Sequence, residues 1–188
     1  MKRLFGLVML ASVLLVSSCS ENPGVNNSYQ SGDGTVVEFK IQDRKPAVSW
    51  MGIDSSGYVL SSENLSGVVT ILNFWYASCT PCRVETPDLV ALSKDFANQA
   101  QFVGVNVRDS ADTANAFRKT FKVDYPTLID VNTGTVVLAF TGVVSPSAVP
   151  TTLVIDREGR VAARILGVAE KGTLKAIIKT VVDEEASN

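Results

Sequence analysis

Two hydrophobic patterns alternate along most of the chain, and each predicts a different element. Unbroken apolar runs rich in β-branched residues occur at residues 68–75, 102–107 and 151–155. Runs of this length and composition are typical of strands buried on both faces of a sheet. A fourth strand is predicted at 160–166, which pairs back on the third run through a turn that ends at Gly159.

Apolar positions with helical spacing lie between these strands. They predict helices over residues 79–98, from a cap at Ser110 onward, and over 170–182. A smaller β-hairpin is predicted around residues 48–60. The resulting order, β-α-β-α-β-β-α, predicts an α/β fold with a central mixed sheet flanked by helices. It includes the N-terminal β-hairpin and a helix–strand insertion between the second long run and the last hairpin.

The N-terminus has the pattern of a signal peptide. Two basic residues precede an apolar run over residues 4–16, shorter than the roughly 20 residues that span a bilayer. Ser17, Ser18 and Cys19 follow, and small residues just before a cysteine resemble the lipobox of bacterial lipoproteins. In that class the cysteine is lipidated and becomes the new N-terminus. The alternative is an ordinary secretory signal with an incidental cysteine.

These patterns divide the chain into three parts. Residues 1–18 are the predicted signal peptide, and 19–46 are the lipidated N-terminus with a flexible tether. Residues 47–188 form the predicted globular domain. The expected location is outside the cytoplasm, on the cell membrane through the lipid anchor.

Charge and composition exclude several kinds of function. The chain has 17 basic and 19 acidic side chains, so a nucleic-acid partner is not expected. It has no histidine, which excludes catalytic sites that use Ser-His-Asp or Cys-His and metal sites that use His. We expect no metal and no cofactor. The three cysteines are the remaining candidates for chemistry.

Cys79-Thr80-Pro81-Cys82 is the strongest candidate, because it places two thiols at the junction between a strand and a helix. The unpaired N–H groups and the dipole of a helix N-terminus stabilise a thiolate, so Cys79 is the expected nucleophile and Cys82 the resolving cysteine. A zinc site would need further ligands that the chain lacks. A purely structural disulfide would close too short a loop to stabilise much. We therefore expect a redox-active Cys79–Cys82 pair.

Two segments resemble the thioredoxin-like TlpA/ResA family. Residues 74–87 read Phe-Trp-Tyr-Ala-Ser-Cys-Thr-Pro-Cys-Arg-Val-Glu-Thr-Pro and are similar to its active-site segment. Residues 147–160 resemble its second signature, and the likeness extends over about 48–182. The resemblance implies a thioredoxin fold. It also implies a membrane-tethered, extracytoplasmic thiol–disulfide oxidoreductase of bacteria.

Pro150 matches the cis-proline that faces the disulfide in this family. A cis bond between Val149 and Pro150 would leave the backbone groups of Val149 free to hold a substrate as an added strand. From the sequence alone, a trans-proline that begins a strand is equally compatible with this position.

Glu85 matches a glutamate that the family places behind the cysteines as a proton acceptor. A carboxylate beside a buried thiol can have a raised pKa and take the Cys82 proton. The alternative is a surface glutamate in an early helical turn. Asn73 stands where thioredoxins carry a buried aspartate and cannot titrate, so Glu85 is the local candidate for this role.

The resemblance implies a reductant of apocytochrome c thiols before haem attachment. Its partners would be a protein thiol or disulfide substrate and a membrane electron donor such as a CcdA/DsbD-like protein. One alternative is an oxidase that introduces disulfides into secreted proteins. Two further alternatives are a copper metallochaperone of the same fold, which the lack of histidine disfavours, and a binding lipoprotein without redox activity, which the intact cysteine motif disfavours.

Overall fold

The computed structural model describes residues 29–30, 36–144 and 148–184. The predicted signal peptide, Cys19 and most of the predicted tether lie outside the described residues. Among the helices of these three segments, none is both long and apolar enough to cross a membrane.

The described segments contain nine strands and four α-helices. In chain order they are β1 (Tyr29–Gln30), β2 (Val36–Glu38), β3 (Met51–Ile53), β4 (Val59–Ser61), β5 (Val69–Trp75), α1 (Thr80–Asp95), β6 (Ala100–Asn106), α2 (Ala111–Phe121), β7 (Thr127–Ile129), α3 (Thr135–Ala139), β8 (Thr151–Ile155), β9 (Val161–Leu166) and α4 (Lys171–Asp183). The predicted strands and helices are all present, with ends that differ by at most three residues.

Seven strands form one mixed sheet in the order β1-β2-β9-β8-β5-β6-β7. Strands β5, β6 and β7 are parallel, whereas β8, β9, β2 and β1 pair antiparallel to their neighbours. Strands β3 and β4 form the predicted N-terminal hairpin outside this sheet. The predicted insertion is α2 with β7, and it is followed by α3, where the apolar pattern alone predicted no type of element.

The sheet separates two apolar layers. On one face, α1 and α4 pack against Val69 and Ile71 of β5. On the other face, the β3–β4 hairpin and α3 pack against Leu72 and Phe74. All seven residues of β5 are buried. This burial on both sides explains why the strand is an unbroken apolar run, since neither face meets water.

The predicted domain boundary at residue 47 is too late. Strand β2 pairs with β9 and extends the sheet, although it lies in the segment that we expected to be a tether. Arg44 is also part of the fold, because its buried guanidinium binds Asp156 at 3.0 Å and Glu184 at 2.7 Å. A strand of only three residues has too little hydrophobic pattern to be predicted. Its place depends on pairing with a distant strand.

Candidate active site

Cys79 is the N-cap residue of α1. It follows the loop that leaves β5, with φ −70° and ψ 108°, and its Sγ accepts the backbone N–H of Cys82 at 3.2 Å. Pro81 lies in the first helical turn, where the missing N–H costs no helical hydrogen bond. A free N–H group of the first turn is therefore directed at the Cys79 sulfur. The helix N-terminus stabilises negative charge there.

The two cysteines form a disulfide with an S–S distance of 2.03 Å. Cys79 is 2% exposed and Cys82 is 1% exposed, and both pack in a cluster with Trp75 and Phe117. In the oxidised state both cysteines are therefore covered. The residues on either side of Cys79, Ser78 and Thr80, are exposed, so the loop that carries Cys79 lies at the protein surface.

The Val149–Pro150 peptide bond is cis, as the resemblance implies. The carbonyl oxygen of Val149 lies 4.0 Å from the Sγ of Cys79, so the fold brings together two motifs that are 70 residues apart. Pro150 is buried and Val149 is half-buried. Strand β8 begins immediately afterwards, and its pairing with β5 holds this loop beside the disulfide.

Glu85 is a buried residue, so the surface alternative is wrong. It is 1% exposed. Its Oε1 accepts a hydrogen bond from Nδ2 of Asn73 at 2.7 Å, and its Oε2 accepts one from the backbone N–H of Ala169 at 2.8 Å. Asn73 also donates to Oγ1 of Thr152 at 3.1 Å. The carboxyl group thus connects α1 to β5, β8 and the start of α4.

Burial raises the pKa of Glu85 from its ordinary value to about 7, although the hydrogen bonds from Ala169 and Asn73 act to lower it. Both donors are neutral amides, so they stabilise the carboxylate less than a cation would. The group is therefore near half-protonated at neutral pH. Such a group can both accept and return a proton without a large change in free energy.

Asn106 and Asp109 support the loop before Cys79, and neither was predicted from the sequence. The Oδ2 atom of Asp109 accepts the backbone N–H of Ala77 at 2.6 Å and Nδ2 of Asn106 at 2.7 Å. Both residues lie at or just after the carboxyl end of β6, which pairs in parallel with β5. The sequence did contain a signal for them, because polar residues that follow a strand parallel to β5 are expected near the loop that leaves β5. Their hydrogen bonds fix the course of the loop that presents Cys79.

Within the described segments, no three potential ligands of the His, Cys, Asp and Glu types are grouped closely enough to hold a metal ion. The two sulfurs of the motif are already joined to each other. The arrangement can therefore accept a thiolate at one sulfur of the disulfide and release the other.

The chain is similar to known proteins over most of its length. The AhpC/TSA family matches residues 37–164. The thiol-disulfide oxidoreductase ResA of Bacillus subtilis is 28% identical over 188 residues, which cover 100% of this chain and 99% of ResA. The thiol:disulfide interchange protein HelX of Rhodobacter capsulatus is 32% identical over 141 residues, or 74% of this chain and 76% of HelX. The crystal structure of a secreted thiol-disulfide isomerase from Corynebacterium glutamicum matches with a TM-score of 0.75 and 29% identity, covering 83% of this chain and 97% of that one.

Proposed function

Because the chain belongs to the AhpC/TSA family and is a thiol–disulfide oxidoreductase, we propose that it acts outside the cytoplasm as a membrane-anchored protein reductant. The observation that carries this proposal is the Cys79–Cys82 disulfide at the N-terminus of α1, facing the cis Val149–Pro150 bond. The isomerase from Corynebacterium glutamicum is a secreted protein, and this similarity supports an extracytoplasmic location. The resemblance to the TlpA/ResA family favours apocytochrome c, before haem attachment, as the substrate.

The reaction begins with the reduced protein. The Cys79 thiolate attacks one sulfur of the substrate disulfide, forms a mixed disulfide, and releases the other substrate sulfur as a thiolate that takes up a proton. Cys82 passes its proton to the Glu85 carboxylate and attacks the Sγ of Cys79. The second substrate sulfur leaves as a thiolate, and the Cys79–Cys82 bond forms. Two electrons have then moved from the protein to the substrate.

A membrane donor of the CcdA/DsbD type restores the dithiol. It supplies two electrons and the protons that the two product thiols require, through its own thiol pair. During exchange, the backbone of Val149 holds the substrate segment as an added strand, and Pro150 keeps that backbone next to Cys79. The short distance from the Val149 carbonyl to the Cys79 sulfur supports this role.

The direction of transfer is testable through the reduction potential. Glu85 lies in α1, three residues after Cys82, and its carboxylate opposes extreme stabilisation of a thiolate. A strong oxidant would need such a stabilised thiolate. We expect a potential below roughly −200 mV, near the thioredoxin end of the range rather than near −120 mV. Equilibration of the mature domain with glutathione or dithiothreitol buffers measures it. A potential above about −150 mV, with rapid oxidation of a reduced unfolded protein, would instead establish the oxidase alternative.

The membrane anchor is testable at Cys19. In a host that processes lipoproteins, the mature protein should partition into detergent and carry acyl chains on Cys19. The Cys19→Ala precursor should remain uncleaved by the lipoprotein peptidase, whereas Cys79→Ser should be processed like the wild type. Mass spectrometry that finds a free thiol at Cys19, or cleavage at another position, would contradict the anchor.

A further inference from the structure

Two arginines lie beside the loop that presents Cys79. The Nη1 atom of Arg83 donates to the backbone carbonyl of Ala77 at 3.2 Å. The guanidinium carbon of Arg108 lies 4.2 Å from the centre of the Tyr76 ring. Both arginines are exposed. The loop is thus flanked by two positive charges, one from α1 and one from the segment between β6 and α2.

Neither charge is neutralised by an ion pair with the described residues. This contrasts with Arg44 and Arg160, each of which binds carboxylates within 3.0 Å. Asp109 adjoins Arg108 in the chain, but its Oδ2 accepts from Ala77 and Asn106. Two cations that form no ion pair with the described residues therefore lie together beside the loop that presents Cys79.

Aromatic rings hold both guanidinium groups in position. Arg83 lies over Phe121 at 5.1 Å and Phe117 at 5.8 Å, and Arg108 lies over Tyr76. Contact with a ring face restricts the side chain and leaves the edge of the planar guanidinium available to other acceptors. That edge can bind a carboxylate with two parallel hydrogen bonds, and less rotamer freedom is lost on binding because the group is already positioned.

We propose that Arg83 and Arg108 form a recognition surface for acidic side chains next to the reacting cysteines of a protein substrate. This inference rests on the proposed function, since it concerns which disulfides Cys79 meets. A substrate held by Val149 on one side of Cys79 extends over the exposed Ser78 and Thr80. Carboxylates in its flanking sequence then reach the two guanidinium groups. The surface favours substrates with acidic flanking residues and, at low salt, raises the rate at which they encounter Cys79.

The test uses three synthetic peptides that contain the same intramolecular disulfide, with acidic, neutral or basic residues on both sides. For the reduced mature chain at low salt, we expect the second-order rate constant of a single turnover to be about tenfold higher for the acidic peptide than for the neutral one, which is about 1.4 kcal/mol. The basic peptide should react more slowly than the neutral one. Salt at 1 M, where the Debye length is about 3 Å, should bring the three values together.

Charge-removing variants identify the residues responsible. Arg83→Gln with Arg108→Gln should reduce the acidic-to-neutral ratio to about one. Lys94→Gln is the matched control, because it removes an exposed cation from the other end of α1, about 16 Å along the helix from Arg83. It should keep the wild-type ratio. An unchanged ratio in the double variant would overturn the proposal.

Two other outcomes are distinguishable. If no peptide disulfide is reduced at all, the proposed function itself fails. If all three peptides are reduced equally, only the recognition surface is refuted. Flotation of the unlipidated mature chain with vesicles of phosphatidylglycerol and phosphatidylcholine tests a lipid partner. Vesicle binding that the double variant loses, together with an unchanged peptide ratio, would assign the two arginines to lipid headgroups and overturn the proposal.

Discussion

Glu85→Gln is expected to remove most of the pH dependence of unfolding between pH 5 and pH 8. The pKa of Glu85 is about 7 in the folded protein, against 4.5 for an unperturbed glutamate. Folding therefore favours the protonated form. This contribution to the free energy of unfolding is fully present below pH 4.5 and is lost as the pH rises through 7. The difference corresponds to about 3 kcal/mol.

The buried site can accommodate the glutamine amide. In the wild type, Asn73 donates Nδ2 hydrogens to both Glu85 and Thr152. If the Asn73 amide rotates by half a turn, its oxygen accepts from the new glutamine amide and from the Thr152 hydroxyl. The glutamine oxygen then accepts the N–H of Ala169 in place of the carboxylate. Each hydrogen bond that the carboxylate accepts in the wild type then has a counterpart in the variant, so the substitution removes the charge and retains these contacts.

Urea unfolding of the oxidised protein at several pH values measures this effect. The chain has no histidine, so few other groups titrate in this range. Asp88→Asn is the control, because it removes a half-exposed carboxylate of the same helix, 3.8 Å from Nζ of Lys171, and should keep the wild-type slope. The urea m-value should not change. If Glu85→Gln keeps the wild-type pH profile, the buried carboxyl does not titrate near neutrality.

Most of the fold could be predicted because its elements have distinct hydrophobic patterns. Strand β5 is buried on both faces and is therefore an unbroken apolar run. Helix α4 buries Leu174, Ile177 and Ile178, which recur at helical spacing. Helix α2 begins at the predicted cap, where the Ser110 side chain accepts the N–H of Thr113. In each case residues close together in the sequence form the pattern that predicts the element, so no distant contact has to be known.

The missed features depend on partners that are distant in sequence. The alternative for Glu85 could not be excluded from local sequence, because its burial depends on Asn73 and Ala169, which are 12 and 84 residues away. Strand β2 is too short to have a pattern and is held by β9. Asp109 supports Ala77 from 32 residues away. Tertiary contacts determine the burial of Glu85, the pairing of β2 and the hydrogen bond from Ala77 to Asp109. The local sequence around each residue does not indicate these contacts.

Cys79→Ser is expected to reduce disulfide-reductase activity to the uncatalysed background, while Cys82→Ser is expected to accumulate a mixed disulfide with the substrate. A serine hydroxyl cannot form a disulfide, so the first variant has no nucleophile. Serine is also a favourable N-cap residue, and its Oγ can accept the N–H that Cys79 accepts from Cys82. The Cys79→Ser protein should therefore fold, and its loss of activity will report on chemistry.

The order of thiol reactivity tests the two roles directly. In the reduced protein, Cys79 should be alkylated first by iodoacetamide, because its sulfur receives an N–H group at the positive end of α1 and the exposed Ser78 and Thr80 adjoin it. Peptide mass spectrometry after brief labelling gives the two rates. Cys19→Ala is the control and should keep both the activity and the order. Faster labelling of Cys82, or a trapped complex with Cys79→Ser in place of Cys82→Ser, would reverse the two assignments.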